Sequence, residues 1–138
     1  MKIKFGDEIV NNGRKRGSEV IRGVASDLNE AEFIVKIDDL IAARGISQRQ
    51  LSDMTGIQLS YLSDFILGKT TTINKTHLLA LMTVLRVSHI EDIVEIRLPE
   101  HKEKQFEIDR KEWIDTKQLP DAVSKLSHLA LDIRNGTL

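Results

Sequence analysis

The chain contains no cysteine, which removes disulfides and thiolate metal sites and points to a reducing compartment. Aromatic residues make up only 4% of it, so a core drawn from the 41% hydrophobic content must be mostly Leu, Ile and Val. No apolar run approaches the ~20 residues of a membrane span. The N-terminus, MKIKFGDEIV, has Asp7 and Glu8 where a signal peptide would be apolar. The expectation is a soluble, cytoplasmic protein with no membrane partner. His77, His89, His101 and His128 are scattered without a metal-ligand spacing. His77 and His89 read as helix-surface residues. The glycines are isolated and form no phosphate-binding fingerprint, and Ser60 and Ser63 have no base within sequence reach. No enzyme, metal or cofactor is expected.

An excess of either charge is also lacking. The formal net charge is −1 over 138 residues, which excludes a nonspecific polycation but leaves room for a local basic face. Two stretches carry a small positive excess. Residues 11–22 set Arg14, Lys15, Arg16 and Arg22 against Glu19, and residues 46–86 set Arg49, Lys69, Lys75 and Arg86 against Asp53 and Asp64.

What the chain does have is a strongly punctuated centre, ISQRQLSDMTGIQLSYLSDFILG, at 46–68. Ser47 with Gln50 three residues on is the spacing of a capping box, in which two side chains satisfy two orphan backbone donors. Leu51 and Met54 follow three apart. Gly56 suits the left-handed turn that lets one helix leave and a second enter steeply. Ile57, Leu62 and Phe65 return to one side, and Gly68 ends the second helix. This is a helix-turn-helix pattern, whose second helix can enter a DNA major groove.

Around that centre the reading is uneven. Ile3 and Phe5 alternate with Lys2 and Lys4, which fits a short strand. Asn11-Asn12-Gly13 is a turn signal, and Arg14, Lys15 and Arg16 fit either a DNA-seeking arm or a solvated loop. Ser18 offers a cap for a short helix. Asn29 with Glu32 predicts a helix start, with Ile34, Ile37, Leu40 and Ile41 on one face until Gly45. Asn74 predicts the cap of a helix that buries Leu78, Leu81, Met82 and Leu85. Ser88 with Glu91 predicts a fifth short helix carrying Ile90, Ile93 and Val94. In the charged stretch 100–117, Phe106 and Ile108 alternate with polar residues as a strand would, and Trp113 reads as a local packing anchor in preference to an interface anchor. After Pro120, the residues Ala122, Leu126, Leu129 and Ile133 form a narrow heptad-like stripe up to Asn135-Gly136. That stripe either docks on its own chain or pairs with a second copy.

Residues 37–96 resemble the Cro/lambda-repressor-type helix-turn-helix family, also called the xenobiotic-response-element family. The resemblance rests on GIS before the second helix, QLS within it, TGI at the turn, SYLS in the third helix, GK after it and L-x-V-S before the fifth. It implies an all-α, five-helix bundle over 29–98. To this are added a basic N-terminal extension at 1–28, a charged and helical C-terminal extension at 99–138, and room for one or two short strands. It also implies a phage or bacterial regulator that binds double-stranded DNA, commonly as a homodimer.

On the family pattern, Gln48 steadies a phosphate and a neighbouring recognition side chain. Gln58, Leu59, Ser60, Tyr61, Ser63 and Asp64 face base edges. Arg49 and the segment Lys69, Thr70, Thr71, Thr72, Asn74 and Lys75 meet phosphate, where free N–H groups at a helix start suit an anion. The chain departs from the pattern at Leu59, Asp64 and Leu67, where Arg, Lys or Asn is common. Binding is therefore expected to be weaker, or to lean on the basic arm. The expected function is a sequence-specific transcriptional repressor. The competing reading is a protein-interaction module on the same fold, antitoxin-like or bound to a second regulatory protein or peptide.

Overall fold

The computed structural model describes residues 2–4 and 19–136. The basic cluster Arg14, Lys15 and Arg16, the Asn11-Asn12-Gly13 turn and the Ser18 cap lie outside the described residues. Within them the chain is mostly helical and separates into two compact units. One contains residues 2–4 and 32–97, the other residues 19–31 and 98–136.

The first unit holds strands β1 (Lys2–Lys4), β2 (Glu32–Val35) and β3 (Val94–Arg97). It also holds helices α2 (Ile37–Arg44), α3 (Gln48–Thr55), α4 (Leu59–Ile66) and α5 (Lys75–Leu85). The strands form an antiparallel sheet in the order β1-β2-β3, with Phe33 opposite both Ile3 and Ile96. Two expectations fail here. The helix anticipated from Asn29 begins only at Ile37, and Ile34 lies in the central strand of the sheet. The fifth helix is a single 3-10 turn, Ile90–Asp92, with no side-chain cap; the chain then extends into β3. The reason is the same in both places. Glu32–Val35 and Val94–Arg97 are rich in β-branched residues, and each satisfies its backbone groups on the other. Partners some 60 residues apart are invisible to a local window. One sheet face carries ion pairs, Lys2–Glu32 at 3.3 Å and Glu95 with both Lys36 at 3.0 Å and Arg97 at 2.7 Å. The hydrogen bond from Lys36, then that from Arg97, holds the Glu95 carboxyl below the usual carboxylate range.

A single cluster joins β2, the four helices and the start of β3: Val35, Ile37, Ile41, Leu51, Ile57, Leu62, Phe65, Ile66, Leu81, Leu85 and Ile93 are buried together, with Val94 partly buried against them. Fully burying each such side chain is worth about 1.5–3 kcal/mol before conformational entropy is charged against it. Leu78 and Met82 pack partly buried against the cluster, as their helix face predicted. Met54 does not join it and is 52% exposed.

The second unit contains helices α1 (Glu19–Ala25), α6 (Glu100–Thr116) and α7 (Asp121–Asn135), with a 3-10 turn at Ser26–Leu28. The segment around Phe106 and Ile108 is thus helix, not strand. Its short alternation misleads because α6 has no buried residue to impose a 3.6-residue period. Pro120 sits at the N-cap of α7, and Gly136 closes that helix in the left-handed conformation. α7 packs on α1. Gly23 makes the approach close: a Cβ there would stand 2.5 Å from Ile133 Cδ1 and 4.0 Å from Leu129 Cδ2. Leu129 and Ile133 are therefore turned toward their own chain.

The core and the turn between α3 and α4 should respond differently to truncation. Leu51→Ala removes a fully buried side chain and is expected to cost about 2–5 kcal/mol. Gly56→Ala adds a methyl to open space at φ +80° and is expected to cost about 1–2 kcal/mol through the backbone alone. Urea unfolding followed by far-UV circular dichroism reads both; equal losses would mean that the turn is not held in this conformation.

Candidate nucleic-acid interface

α3 starts where its sequence says it should. Ser47 Oγ accepts from the Gln50 N–H at 3.1 Å, and Gln50 Oε1 accepts from the Ser47 N–H at 2.9 Å. It ends at Gly56, whose N–H donates to the Ser52 carbonyl at 2.9 Å with φ 80°. Ser52 and Thr55, whose hydroxyl roles the sequence did not mark, fasten the turn. Ser52 Oγ donates to the Ile57 carbonyl at 2.5 Å. Thr55 Oγ1 donates to the Leu51 carbonyl at 2.7 Å and accepts from the Ile57 N–H at 3.2 Å. The signal for them was present, since Ser and Thr readily bond the backbone a few residues away. It is too common a pattern to stand out.

α4 is anchored from below by Leu62, Phe65 and Ile66 and exposes the opposite side. Gln58 occupies its N-cap position, but the side chain makes no capping bond and is exposed. Among the described residues its amide has no hydrogen-bond partner. Ser60, Asp64 and Leu67 are exposed in line at four- and three-residue spacing, while Leu59 is half-buried.

The remaining base-facing candidates are engaged within the chain. Ser63 Oγ donates to Gln48 Oε1 at 3.0 Å, which ties the first turn of α3 to the middle of α4. The NH₂ of Gln48 keeps its donor capacity. Tyr61 is half-buried, with its hydroxyl 3.5 Å from the Thr72 carbonyl and its ring edge-on to His77 at 4.9 Å. His77 is accordingly not a plain surface residue: it is half-buried, and its Nδ1 is enclosed with no hydrogen-bond partner among the described residues. His89 is exposed.

The α4–α5 loop supplies the flank. Lys69, Thr71, Thr72, Asn74 and Lys75 are exposed, and Thr70 is half-buried. Asn74 spends its carboxamide oxygen on the cap of α5, accepting from the Thr76 N–H at 2.8 Å and the His77 N–H at 3.2 Å. Its NH₂ group remains to face outward. Arg49, on the first turn of α3, is exposed as well. Among the described residues Arg49, Lys69 and Lys75 make no ion pair, in contrast to Lys2, Lys36 and Arg97 on the sheet.

The result is an exposed face of the first unit. It offers side-chain donors and acceptors on α4 between unpaired cations before and after it. Asp53 and Asp64, both exposed, oppose an anion there. No group of three metal-ligating residues occurs among the described residues, and no described helix is long and apolar enough to cross a membrane.

Comparison with known proteins bears on the same segment. Residues 36–97 match the family model of the Cro/C1-type HTH DNA-binding domain. No curated protein and no solved structure gives a significant match. The matched segment begins one residue before α2 and ends with the last residue of β3, so it takes in the buried cluster almost whole. Over residues 36–97 the chain is thus similar to the Cro/C1-type HTH DNA-binding domain family.

Proposed function

We propose that the chain is a sequence-specific transcriptional regulator, a repressor that acts by occupying its operator, with α4 in the major groove. The observation that carries this reading is the state of Gln58. It is exposed at the start of α4, makes no capping bond, and projects from a helix whose other face is locked into the core. A free Gln amide can bond adenine N6 and N7 together, and this is a base-specific contact. Ser60 is available beside it. Tyr61 and Ser63 act by holding the helix to the α4–α5 loop and to α3. Phosphate contacts then fall to Arg49, Lys69 and Lys75, the NH₂ groups of Gln48 and Asn74, and the Arg14–Arg16 arm. Phosphate contacts fix register and supply affinity without reading sequence.

Two copies on a two-fold operator would place half-sites about one helical turn apart, ~34 Å. Two members of the heptad-like stripe, Leu129 and Ile133, lie against α1 within the chain. The exposed Asp64 keeps affinity modest, because a carboxylate near phosphates is repelled unless it accepts from a cytosine amino group.

These roles separate in binding experiments on a site obtained by unbiased selection. Gln58→Ala is expected to cost about 1–3 kcal/mol on that site and little on random duplex. Equal losses on both duplexes would remove Gln58 from base readout. Lys69→Ala and Lys75→Ala are expected to weaken both duplexes alike, each lowering the slope of log K against log salt by about 1. An unchanged slope would take the loop off the phosphate backbone. If the unaltered chain retards no genomic fragment even at low salt, the DNA reading fails. The fold then serves protein recognition through the same α4 face.

A further inference from the structure

The second unit has an apolar cleft of about 420 Å³ between α6 and α7. Its walls are Phe106, Trp113 and Ile114 from α6 and Ala122, Val123 and Leu126 from α7. α7 packs along α1 rather than along α6, which is why this wedge stays open. Phe106 and Trp113 remain 40% and 41% exposed, a costly arrangement for two aromatic rings in a chain so poor in them. The volume lies within the usual ~300–1,000 Å³ of small-molecule sites, which are likewise mostly apolar with a few polar groups.

Three ionisable side chains also line the cleft, and their pairing decides its sign. Arg110 is paired with Glu107. Asp27 is paired with Lys102 at 3.1 Å. Asp109 has no cationic partner; one oxygen accepts from the Gln105 amide at 2.9 Å, and the other makes no hydrogen bond among the described residues. Asp109 and Trp113 are four apart on α6, so a carboxylate and an indole share one face. A cation held against that face meets an opposite charge and the negative face of a ring together.

We propose that this cleft is a binding site for a small amphipathic organic cation, with Asp109 as its counter-ion and Trp113 and Phe106 against its apolar body. A second copy of the chain suits the cleft less well. Nine residues line it, whereas a stable protein interface takes about 20–30 residues a side. The site lies wholly within the second unit and does not rest on the DNA-binding reading.

The chain has one tryptophan, Trp113, so its intrinsic fluorescence reports on the cleft directly. The full chain is titrated with tetraphenylphosphonium and, separately, with tetraphenylborate, an anion of the same shape. The expected result is a saturable change in Trp113 emission with the cation and at least about tenfold weaker binding of the anion, as expected for one well-placed charge. Asp109→Asn should remove most of that preference while leaving the apolar contribution. Ala122→Phe, which fills the cleft, should abolish the response to both ions. Helix content by circular dichroism identifies a variant that has lost its fold. Equal affinity for the two ions, an Asp109→Asn variant that keeps the full preference, or no saturable change would each overturn the proposal. So would Trp113 emission that shifts on dilution of the protein alone, which would give the cleft to a second copy.

Discussion

The angle between α3 and α4 is the constraint on which the rest of the first unit depends. Three kinds of force fix it at one short turn. Gly56 takes a left-handed conformation that an L side chain resists. Ser52 and Thr55 bond the backbone on both sides of it. Leu51, Ile57 and Leu62 press the two helices into one buried cluster. The outer face of α4 is presented only because its inner face is committed in this way. The Gln48–Ser63 hydrogen bond adds a polar tie at the surface, where it also fixes which way the Gln48 amide points. Rigid presentation of this kind lets a few side chains discriminate among duplexes, because contacts that are already ordered cost little entropy on binding.

Legibility in the sequence followed the range of the interactions. Ser47, Gln50, Gly56, Asn74 and Gly136 could be read because a cap or a left-handed turn is decided within about four residues. The inward face of α4 and α5 was legible for the same reason, from helical periodicity. The strands β2 and β3 were not, since each is justified by a partner far along the chain, and Ile34 and Val94 suit a helix face equally well in isolation. α6 was missed for the opposite reason: with no buried side, its residues carry no helical period. Met54 continues the spacing set by Leu51 but lies past the edge of the core.

The site itself was legible as a set of positions but not as a division of labour. The family resemblance assigns Gln58, Leu59, Ser60, Tyr61, Ser63 and Asp64 to base edges as a group. Geometry separates them. Gln58, Ser60 and Asp64 are exposed. Ser63 and Tyr61 are bonded inward, and Leu59 is half-covered. Asn74 is primarily a helix cap. His77, which looked peripheral in sequence, sets the edge against which the Tyr61 ring rests. Only partners across α3, α4, the α4–α5 loop and α5 reveal this, and they are 15, 11 and 16 residues apart. The two-unit organisation has a similar origin, because α1 and α7 meet through Gly23 and Ile133 from opposite ends of the chain.

The central claim is that one exposed face, made by α4 with the start of α3 and the α4–α5 loop, is where the chain meets duplex DNA. Amide chemical shifts, recorded on the full chain with and without a selected duplex, test this most directly. The account expects the largest changes at 48–50, 58–64 and 69–77, with the β1-β2-β3 sheet and the cleft around Trp113 nearly unmoved. Changes centred on the sheet or on α6 and α7, with α4 silent, would contradict it.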